Sequence, residues 1–300
     1  MQHTIKRPYT FSGKGLHTGA AVNLTIRPAE AGSGIRFVRT DIGPDATIRA
    51  LATNVGNTDR STALQENGAS VVTIEHLMSA AAGLGIDNML VELDAPEAPI
   101  LDGSALPYVS AIMADGLKEQ PSERRFLSLK DQFHYEDESG ASIDIYPADE
   151  CTMQLTIDFN SKVLGVQRFV YDSSVDYATQ IAPCRTVCFF HELEYLASLG
   201  LIKGGDTENA IVVVEHPVSQ EALERMKALF GVGNLEVKEG YLNNLQLHFP
   251  DEIVRHKMLD MIGDFALLGA PLRGTIIASK TGHRVNTAVC KSLLNSDLIY

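Results

Sequence analysis

A segment in the last fifth of the chain reads Ile253-Val-Arg-His256-Lys257-Met-Leu-Asp260-Met-Ile-Gly-Asp264. Residues four apart lie on one face of a helix, so His256, Asp260 and Asp264 form a polar ladder. A separate apolar stripe on the same helix consists of Val254, Met258, Met261, Ile262, Phe265 and Leu268. The pattern predicts an amphipathic helix over 253–268, with one face in the core and another that can carry chemistry.

A histidine and an aspartate four residues apart offer two of the three protein ligands that a catalytic zinc site needs. A second predicted helix, over 74–82 after a predicted N-cap at Thr73, supplies the third ligand in His76. Its neighbour Glu75 can then act as a general base toward water. Together these residues indicate metal-assisted hydrolysis.

The composition is that of a large acidic protein, with 300 residues, 45% of them hydrophobic, and a net charge of −13 at pH 7. This length suffices for a large core or two domains. The charge disfavours nucleic acid as a partner, because phosphate binding needs a basic surface. The chain has no apolar run of transmembrane length and no export signal, so we expect a cytoplasmic protein. The four cysteines form no C-x-x-C pair and are expected to be reduced.

The order of predicted elements is similar in the two halves of the chain. Strands are predicted at 21–26, 34–39 and 89–93 in the first half and at 126–130, 142–146, 152–159, 166–171 and 274–278 in the second. Asn67-Gly68 predicts a hairpin turn. We therefore expect an α+β fold of two similar domains, residues 1–123 and 124–300. Each would be a mainly antiparallel sheet layered with helices, and the two would pack face to face with the site between them.

Eight groups of residues, spread in order over nearly the whole chain, have the spacing of one protein family. They are Gly13-Lys-Gly-Leu16-His17-Thr-Gly19, Thr73-Ile-Glu75-His76, Gly83-Leu-Gly-Ile-Asp87-Asn88, Asp102-Gly-Ser104, Arg185-Thr186, Gly204-Gly205 with Glu208-Asn209-Ala210, His256-Lys257 with Asp260, and Gly282-His283. In this respect the chain resembles the zinc-dependent UDP-3-O-acyl-N-acetylglucosamine deacetylases of lipid A synthesis.

The resemblance implies hydrolysis of the 2-acetamido group of an acylated UDP-sugar, UDP-3-O-(hydroxyacyl)-N-acetylglucosamine, with release of acetate. It also implies a zinc ion, Zn2+, held by His76, His256 and Asp260. Peripheral contact with the lipid part of the substrate is compatible with this reading. Some members of the family continue into a dehydratase domain.

The resemblance implies a catalytic role for five further residues. Glu75 would remove a proton from water, and Lys257 and Thr186 would stabilise the oxyanion. His283, which follows a predicted flexible turn at Lys280-Thr-Gly after a strand, would protonate the departing amine, with Asp264 holding its ring in place.

A further set of residues would bind the substrate, again by resemblance. They are Leu16, His17, Phe159, Phe189, Leu193, Gly205, Val212 and Lys280. Phe159 would stack on the uridine, and Lys280 would supply positive charge for the diphosphate. The apolar insertion 189–214 would form an acyl passage lined by Phe189, Leu193, Leu196, Leu201, Ile202 and Val212, with Gly204 and Gly205 at its floor. The alternative for this insertion is a satellite core. The stretch 215–250, with a predicted helix over 219–229, has no assigned role.

Two other functions are compatible with the residues alone. A peptidase or another zinc amidase would use the same three ligands, although the Glu-His order lacks the H-E-x-x-H signature. A non-catalytic acidic binding module, on a fold shared with nucleotide-binding or RNA-binding domains, would hold no stoichiometric metal.

Overall fold

The structure, a computed structural model, describes residues 1–43, 45–198, 203–243 and 246–300. The elements of the first half are β1 (Gln2–Ile5), β2 (Tyr9–Lys14), β3 (Ala21–Pro28), β4 (Ile35–Arg39), β5 (Thr47–Arg49), β6 (Leu64–Glu66), β7 (Ala69–Val71), α1 (Glu75–Leu84), β8 (Met89–Leu93), α2 (Leu106–Met113) and β9 (Leu117–Gln120). Those of the second half are β10 (Leu127–Ser128), β11 (Phe133–Glu136), β12 (Ser142–Tyr146), β13 (Cys151–Asp158), β14 (Val166–Tyr171), α3 (Tyr177–Gln180), β15 (Val187–Phe189), α4 (Phe190–Ser198), β16 (Ile211–Val213), α5 (Gln220–Phe230), β17 (Val237–Lys238), β18 (Tyr241–Leu242), α6 (Glu252–Phe265), β19 (Leu272–Ser279) and α7 (His283–Leu294).

The main sheets of the two halves have the same topology. The first has the strand order β2-β3-β8-β4-β5, and the second has β11-β12-β19-β13-β14 with β10 also paired to β19. In the first sheet the central β8 runs antiparallel to β3 and parallel to β4. The central β19 has the same relation to β12 and β13. Helix α1 precedes β8 as α6 precedes β19, which confirms the expected duplication of an α+β unit. The domain limits 1–123 and 124–300 stay a prediction.

One continuous hydrophobic core contains the buried faces of both sheets together with the apolar sides of the helices. Side chains alternate between buried and more exposed along β8 and β19, as expected for strands with one face on a core. Helices α1 and α6 pack against each other, and α6 also contacts β13 and β14. The two histidine-bearing helices therefore meet in the interior.

The backbones of α1 and α6 approach each other closely at Gly263. A Cβ atom at this position would lie 2.2 Å from the carbonyl oxygen of Glu75 and 3.1 Å from the backbone nitrogen of Ser79. No residue with a side chain fits such a crossing without moving one helix. The crossing brings the start of α1 against the part of α6 that carries the predicted ligands.

The described residues of 187–242, which include the predicted insertion 189–214, have their own sheet and core. Strands β15-β16-β18-β17 form a four-stranded sheet, and α4 follows β15. The buried residues of this satellite core are Phe190, Val212, Val214, Ala222, Met226, Leu235 and Leu242. The predicted helix over 219–229 is confirmed as α5, and the side chain of Ser219 caps it by accepting from Ala222 N. No helix in the described ranges is long and apolar enough to cross a membrane.

Three local predictions concern the turn at Asn67-Gly68, the start of α1 and the start of α7. Asn67 and Gly68 have φ angles of 53° and 75°, as a type I′ hairpin turn between β6 and β7 requires. The prediction of Thr73 as an N-cap was wrong, because Ile74 precedes α1 and the Thr73 hydroxyl donates to Glu97 instead. Residues 280–282 connect β19 to α7, as predicted for the turn before His283, and His283 begins α7.

Gly263→Ala should lower the free energy of unfolding by about 1 to 3 kcal/mol, because the added methyl group overlaps the Glu75 carbonyl and forces the helices apart. Urea denaturation measures the change. Gly233→Ala is the matched control, since nothing lies within 4 Å of a Cβ atom there. Its effect should stay within about 0.5 kcal/mol. Equal stability of the two variants would contradict the close crossing.

Candidate metal centre and active site

Three buried side chains from the two crossing helices converge on one point. His76 lies in the first turn of α1, and His256 and Asp260 lie one turn apart on α6. One potential ligand atom from each lies within 4.8 Å of the others. The Asp260 Oδ1 atom is 3.5 Å from His256 Nε2 and 3.9 Å from His76 Nε2. These three residues can hold a metal ion.

The hydrogen bonds around the three side chains fit a bound cation. Asp260 Oδ1 is buried and has no hydrogen-bond partner among the described residues, which is costly for a carboxylate oxygen. The other oxygen, Oδ2, accepts from Lys257 Nζ at 2.6 Å. His256 Nδ1 lies 3.0 Å from the carbonyl oxygen of Cys184. That contact fixes Nδ1 as the donor and leaves Nε2 as the ligand atom.

The electrostatics also suit metal ligands. Burial, helped by the nearby His256, lowers the pKa of His76 to about 3. Burial likewise lowers the pKa of His256. Burial would raise the pKa of Asp260, but the Lys257 ammonium and the neighbouring imidazoles outweigh it and hold that pKa well below its usual range. The centre therefore offers two neutral imidazoles and one carboxylate at neutral pH.

Glu75, the neighbour of His76, is also buried. Its Oε2 atom accepts a hydrogen bond from the backbone N–H of Thr62 at 3.0 Å. Burial raises the pKa of Glu75 to about 7. A carboxylate in this state can take a proton from water near neutral pH.

His283 and Asp264 form a buried pair close to the candidate ligands. His283 Nδ1 lies 3.0 Å from Asp264 Oδ2, and His283 Nε2 lies 4.0 Å from Asp260 Oδ2. Burial would lower the pKa of His283, but the Asp264 carboxylate outweighs it and raises the pKa to about 9. The ring is thus held as a cation whose Nε2 side faces the candidate metal centre.

A buried ion pair orients the segment that contains Thr186. Arg185 Nε donates to Glu252 Oε1 at 2.9 Å, and neither side chain is more than 7% exposed. Glu252 is the first residue of α6, and Cys184 is the residue whose carbonyl contacts His256. The pair therefore fixes residues 184–186 against the helix that carries two of the ligands.

The turn that contains Leu16 and His17 is built around Glu97, which is fully buried. Glu97 accepts from the backbone N–H of His17 at 3.0 Å and from the N–H and hydroxyl of Thr18 at 2.8 and 2.7 Å. It also accepts from the Thr73 hydroxyl at 2.8 Å, two residues before Glu75. Burial lowers the pKa of His17, and the charge of His283 lowers it further. The role of Leu16 and His17 as a wall of the site stays a prediction.

The insertion contacts this turn through glycines. Gly204 N donates to Leu16 O at 3.2 Å, and a Cβ atom at Gly204 would lie 1.9 Å from the carbonyl oxygen of Gly15. A Cβ atom at Gly103, whose φ is +82°, would lie 1.9 Å from the carbonyl oxygen of Asn209. Three of the sequence motifs are thus brought together by close backbone contacts.

Phe159 and Lys280, the predicted contacts of the uridine and the diphosphate, lie near each other, and Phe189 of the predicted acyl passage lies beside Phe159. The rings of Phe159 and Phe189 are 5.8 Å apart in an edge-to-face arrangement, and Phe159 is 42% exposed. Lys280 Nζ pairs with Asp158 Oδ2 at 3.2 Å. An exposed ring beside a lysine is a suitable surface for a base and a phosphate.

The predicted acyl-passage residues have a less direct interpretation. Val212 is buried in the satellite core, and Leu193 packs against it while partly buried. Leu196 and Gly205 are half-buried. Leu201 and Ile202 lie outside the described residues. The role of this set stays a prediction.

Nearly the whole chain matches one known protein family. The family described as LpxC, UDP-3-O-acyl N-acetylglycosamine deacetylase, matches residues 2–228 and 235–295. The chain belongs to this family. Every residue of the candidate metal centre lies within the matched ranges, so the LpxC resemblance that the motifs indicated is confirmed.

Several curated relatives match almost the whole chain. The bifunctional enzyme LpxC/FabZ of Porphyromonas gingivalis is 43% identical over 292 residues, 97% of this chain and 63% of that protein. The bifunctional enzyme of the same name from Bacteroides thetaiotaomicron is 40% identical over 294 residues, 97% of this chain and 64% of that protein. The UDP-3-O-acyl-N-acetylglucosamine deacetylase of Myxococcus xanthus is 40% identical over 300 residues, all of this chain and 88% of that protein. The chain therefore spans a little under two thirds of the two bifunctional relatives.

Three residues around the LpxC-family site were missed by the sequence analysis. Thr62, Glu97 and Glu252 are all fully buried. Thr62 donates to Glu75, Glu97 accepts from the His17 backbone, and Glu252 accepts from the Arg185 backbone. Glu97 has a usable signal, because a carboxylate within Ala-Pro-Glu-Ala-Pro is surrounded by residues that favour burial. For Thr62 and Glu252 the sequence offers no comparable signal.

The hydrogen bonds to Glu97 predict a dependence of stability on pH. Burial alone would raise the pKa of Glu97, but the N–H groups of His17 and Thr18 and the two threonine hydroxyls outweigh it and lower the pKa. Because the folded state has the lower pKa, this stabilisation is present above the ordinary glutamate pKa and is lost as the pH falls through the folded pKa. Glu97→Gln lacks the charge. In urea denaturation at a series of pH values, wild type should be clearly more stable than Glu97→Gln at pH 7, and the difference should shrink below about pH 4.5. A difference independent of pH would contradict the assignment.

Proposed function

We propose that this chain hydrolyses the 2-acetamido group of UDP-3-O-(hydroxyacyl)-N-acetylglucosamine, releasing acetate and leaving a free amine, as a step of lipid A synthesis. The observation that carries the proposal is the buried His76, His256 and Asp260 cluster, flanked by one candidate base and one candidate acid. Membership of the LpxC family and the names of the relatives support the choice of substrate over a peptide.

We propose zinc as the metal. Two neutral imidazoles and a carboxylate suit zinc, and three protein ligands leave the free position that a catalytic site requires. Zinc bound by His76, His256 and Asp260 would polarise the amide carbonyl and lower the pKa of water. The unpartnered Asp260 Oδ1 supports a cation at this point.

Glu75 is the proposed general base. It takes a proton from the water that attacks the amide carbon, and the Thr62 N–H holds its carboxylate at 3.0 Å during the reaction. Its position beside His76 at the start of α1 places it next to the ligands. A positioned base of this kind contributes about two to four decades of rate.

The oxyanion that forms on the amide carbonyl needs donors. Lys257 Nζ donates to Asp260 Oδ2 at 2.6 Å, and an ammonium group has two further hydrogens. Thr186 lies in the segment that Arg185 and Glu252 fix against α6. We assign the Lys257 ammonium and the Thr186 hydroxyl to the oxyanion.

His283 is the proposed general acid. Its Nδ1 is occupied by Asp264, so Nε2 carries the proton that passes to the amide nitrogen as the carbon–nitrogen bond breaks. The departing group is then a neutral amine, and the acetyl group leaves as acetate.

The remaining residues would recognise the substrate. Phe159 and Lys280 would hold the uridine and its phosphate, and Leu16 and His17 would form part of the wall of the site. The insertion, including Phe189, Leu193, Gly205 and Val212, would accept the acyl chain.

Removal of any one ligand should abolish metal binding. His76→Ala, His256→Ala and Asp260→Ala should each lose zinc, because two ligands of the three do not hold the ion against dialysis. Metal content by plasma mass spectrometry checks this. His216→Ala alters an exposed histidine and should retain a full equivalent. Retention of zinc by both His76→Ala and His256→Ala would contradict the ligand assignment.

The reaction itself is tested by measuring acetate release from UDP-3-O-acyl-N-acetylglucosamine and from UDP-N-acetylglucosamine. Each buried methylene contributes about 0.8 kcal/mol, so six of them would supply roughly 5 kcal/mol. The bare sugar nucleotide should therefore be about a thousandfold poorer in kcat/KM, or worse. Glu75→Gln should keep its zinc and lose about two to four decades in kcat. Release of acetate from neither substrate would refute the function, whereas turnover of both within about tenfold would refute only the acyl passage.

A further inference from the structure

Thr62 forms hydrogen bonds with two buried carboxylates beside the candidate metal centre, those of Glu75 and Asp264. The residue is fully buried and lies just before β6. Its backbone N–H donates to Glu75 Oε2 at 3.0 Å, and its hydroxyl donates to Asp264 Oδ1 at 2.6 Å. Glu75 belongs to the first half of the chain and Asp264 to the second, 202 positions from Thr62. One residue therefore connects the proposed base with the residue that holds the proposed acid.

The hydroxyl of Thr62 sets the orientation of the Asp264 carboxylate. The other oxygen of Asp264, Oδ2, accepts from Asn286 Nδ2 at 2.9 Å and lies 3.0 Å from His283 Nδ1. A carboxylate can rotate about its Cβ–Cγ bond, so a donor on Oδ1 keeps Oδ2 directed at the imidazole. Loss of that donor would leave a buried carboxylate oxygen without a partner and the carboxylate free to turn.

Thr62 is itself held rigidly against the start of α1. Its carbonyl oxygen accepts from the backbone N–H of Ile74 at 3.4 Å. Its own N–H donates to the side chain of Glu75, the residue after Ile74. A β-branched side chain has few χ1 rotamers, so its hydroxyl direction follows from the backbone. The position of the Asp264 carboxylate is thereby fixed relative to α1, the helix that carries Glu75 and His76.

We propose that Thr62 is a positioning residue that sets the geometry of the proposed acid relative to the proposed base. Its backbone holds the Glu75 carboxylate, and its hydroxyl holds Asp264 and, through Asp264, the ring of His283. The inference rests on the proposed function for its kinetic consequence. Its structural consequence, the orientation of the His283 and Asp264 pair, is independent of the substrate.

Thr62→Val keeps the shape of the side chain and the backbone N–H but removes the hydroxyl. In the zinc-loaded enzyme it should lower kcat by about tenfold to a hundredfold, the range for loss of a hydrogen bond to a charged group. KM for the acylated substrate and the zinc content should change by less than about twofold, since the hydroxyl donates to Asp264 and to none of the three proposed ligands. Thr62→Ser should restore most of kcat.

Thr4→Val is the matched control for loss of a buried threonine hydroxyl. Thr4 is 2% exposed, and its hydroxyl donates to Asn88 O at 2.6 Å, away from the metal centre. This variant should lose thermal stability and keep the wild-type kcat. A fall in kcat as large as that of Thr62→Val would show that the effect is general destabilisation and would overturn the proposal.

Two further measurements separate positioning from other causes. In an Asp264→Asn background, Thr62→Val should cause little additional loss of kcat, because the group that the hydroxyl orients is already altered. By proton NMR, the resonance of the His283 Nδ1 hydrogen should shift or broaden in Thr62→Val and return in Thr62→Ser. Unchanged kcat together with an unchanged resonance, or full additivity with Asp264→Asn, would overturn the proposal. If wild type releases no acetate, the proposed function fails, and the NMR comparison still decides the role of Thr62.

Discussion

The direct contact between the backbones of α1 and α6 is the constraint on which the candidate site depends. His76 stands near the start of α1, whereas His256 and Asp260 lie on α6 in the two turns before Gly263. Because Gly263 lets the helices meet with no side chain between them, ligand atoms from both halves lie within 4.8 Å. A wider crossing would separate one histidine from the other two ligands. The metal centre thus requires both copies of the duplicated unit, since each contributes a histidine-bearing helix.

The same crossing concentrates charge where water is scarce. Glu75, Asp260 and Asp264 are buried together with the His283 cation, and the partly buried Lys257 ammonium lies against Asp260. Buried ions are tolerated only when hydrogen bonds or opposite charges replace their hydration. Each of these groups has such a partner, and the exception in the described part of the cluster is one oxygen of Asp260. That exception points inward, toward both histidine ligands, where a cation would complete the set.

The extent of sequence prediction follows from the range of the interactions. Helix α6 and its polar ladder were predictable, because the spacing of His256, Asp260 and Asp264 is a local property of a helix. The turn at Asn67-Gly68 was predictable for the same reason. Thr73 has the composition of an N-cap, but its hydroxyl binds Glu97, 24 positions away. Thr62 could not be found, since its partner is 202 positions away. Resemblance to a family supplied residues such as Thr186, whose neighbours alone indicate nothing.

The insertion illustrates a different limit, because apolar composition does not distinguish a core from a passage. Val212 packs in the satellite core, so its hydrophobicity is already explained without a ligand. The attachment of the insertion is more informative than its composition. Gly204 meets Gly15, and Asn209 meets Gly103, at backbone distances that exclude a side chain. Such contacts fix the base of the insertion beside the turn of Leu16 and His17, whatever fills its interior. Substitutions in the interior of the insertion can therefore leave the turn of Leu16 and His17 in place.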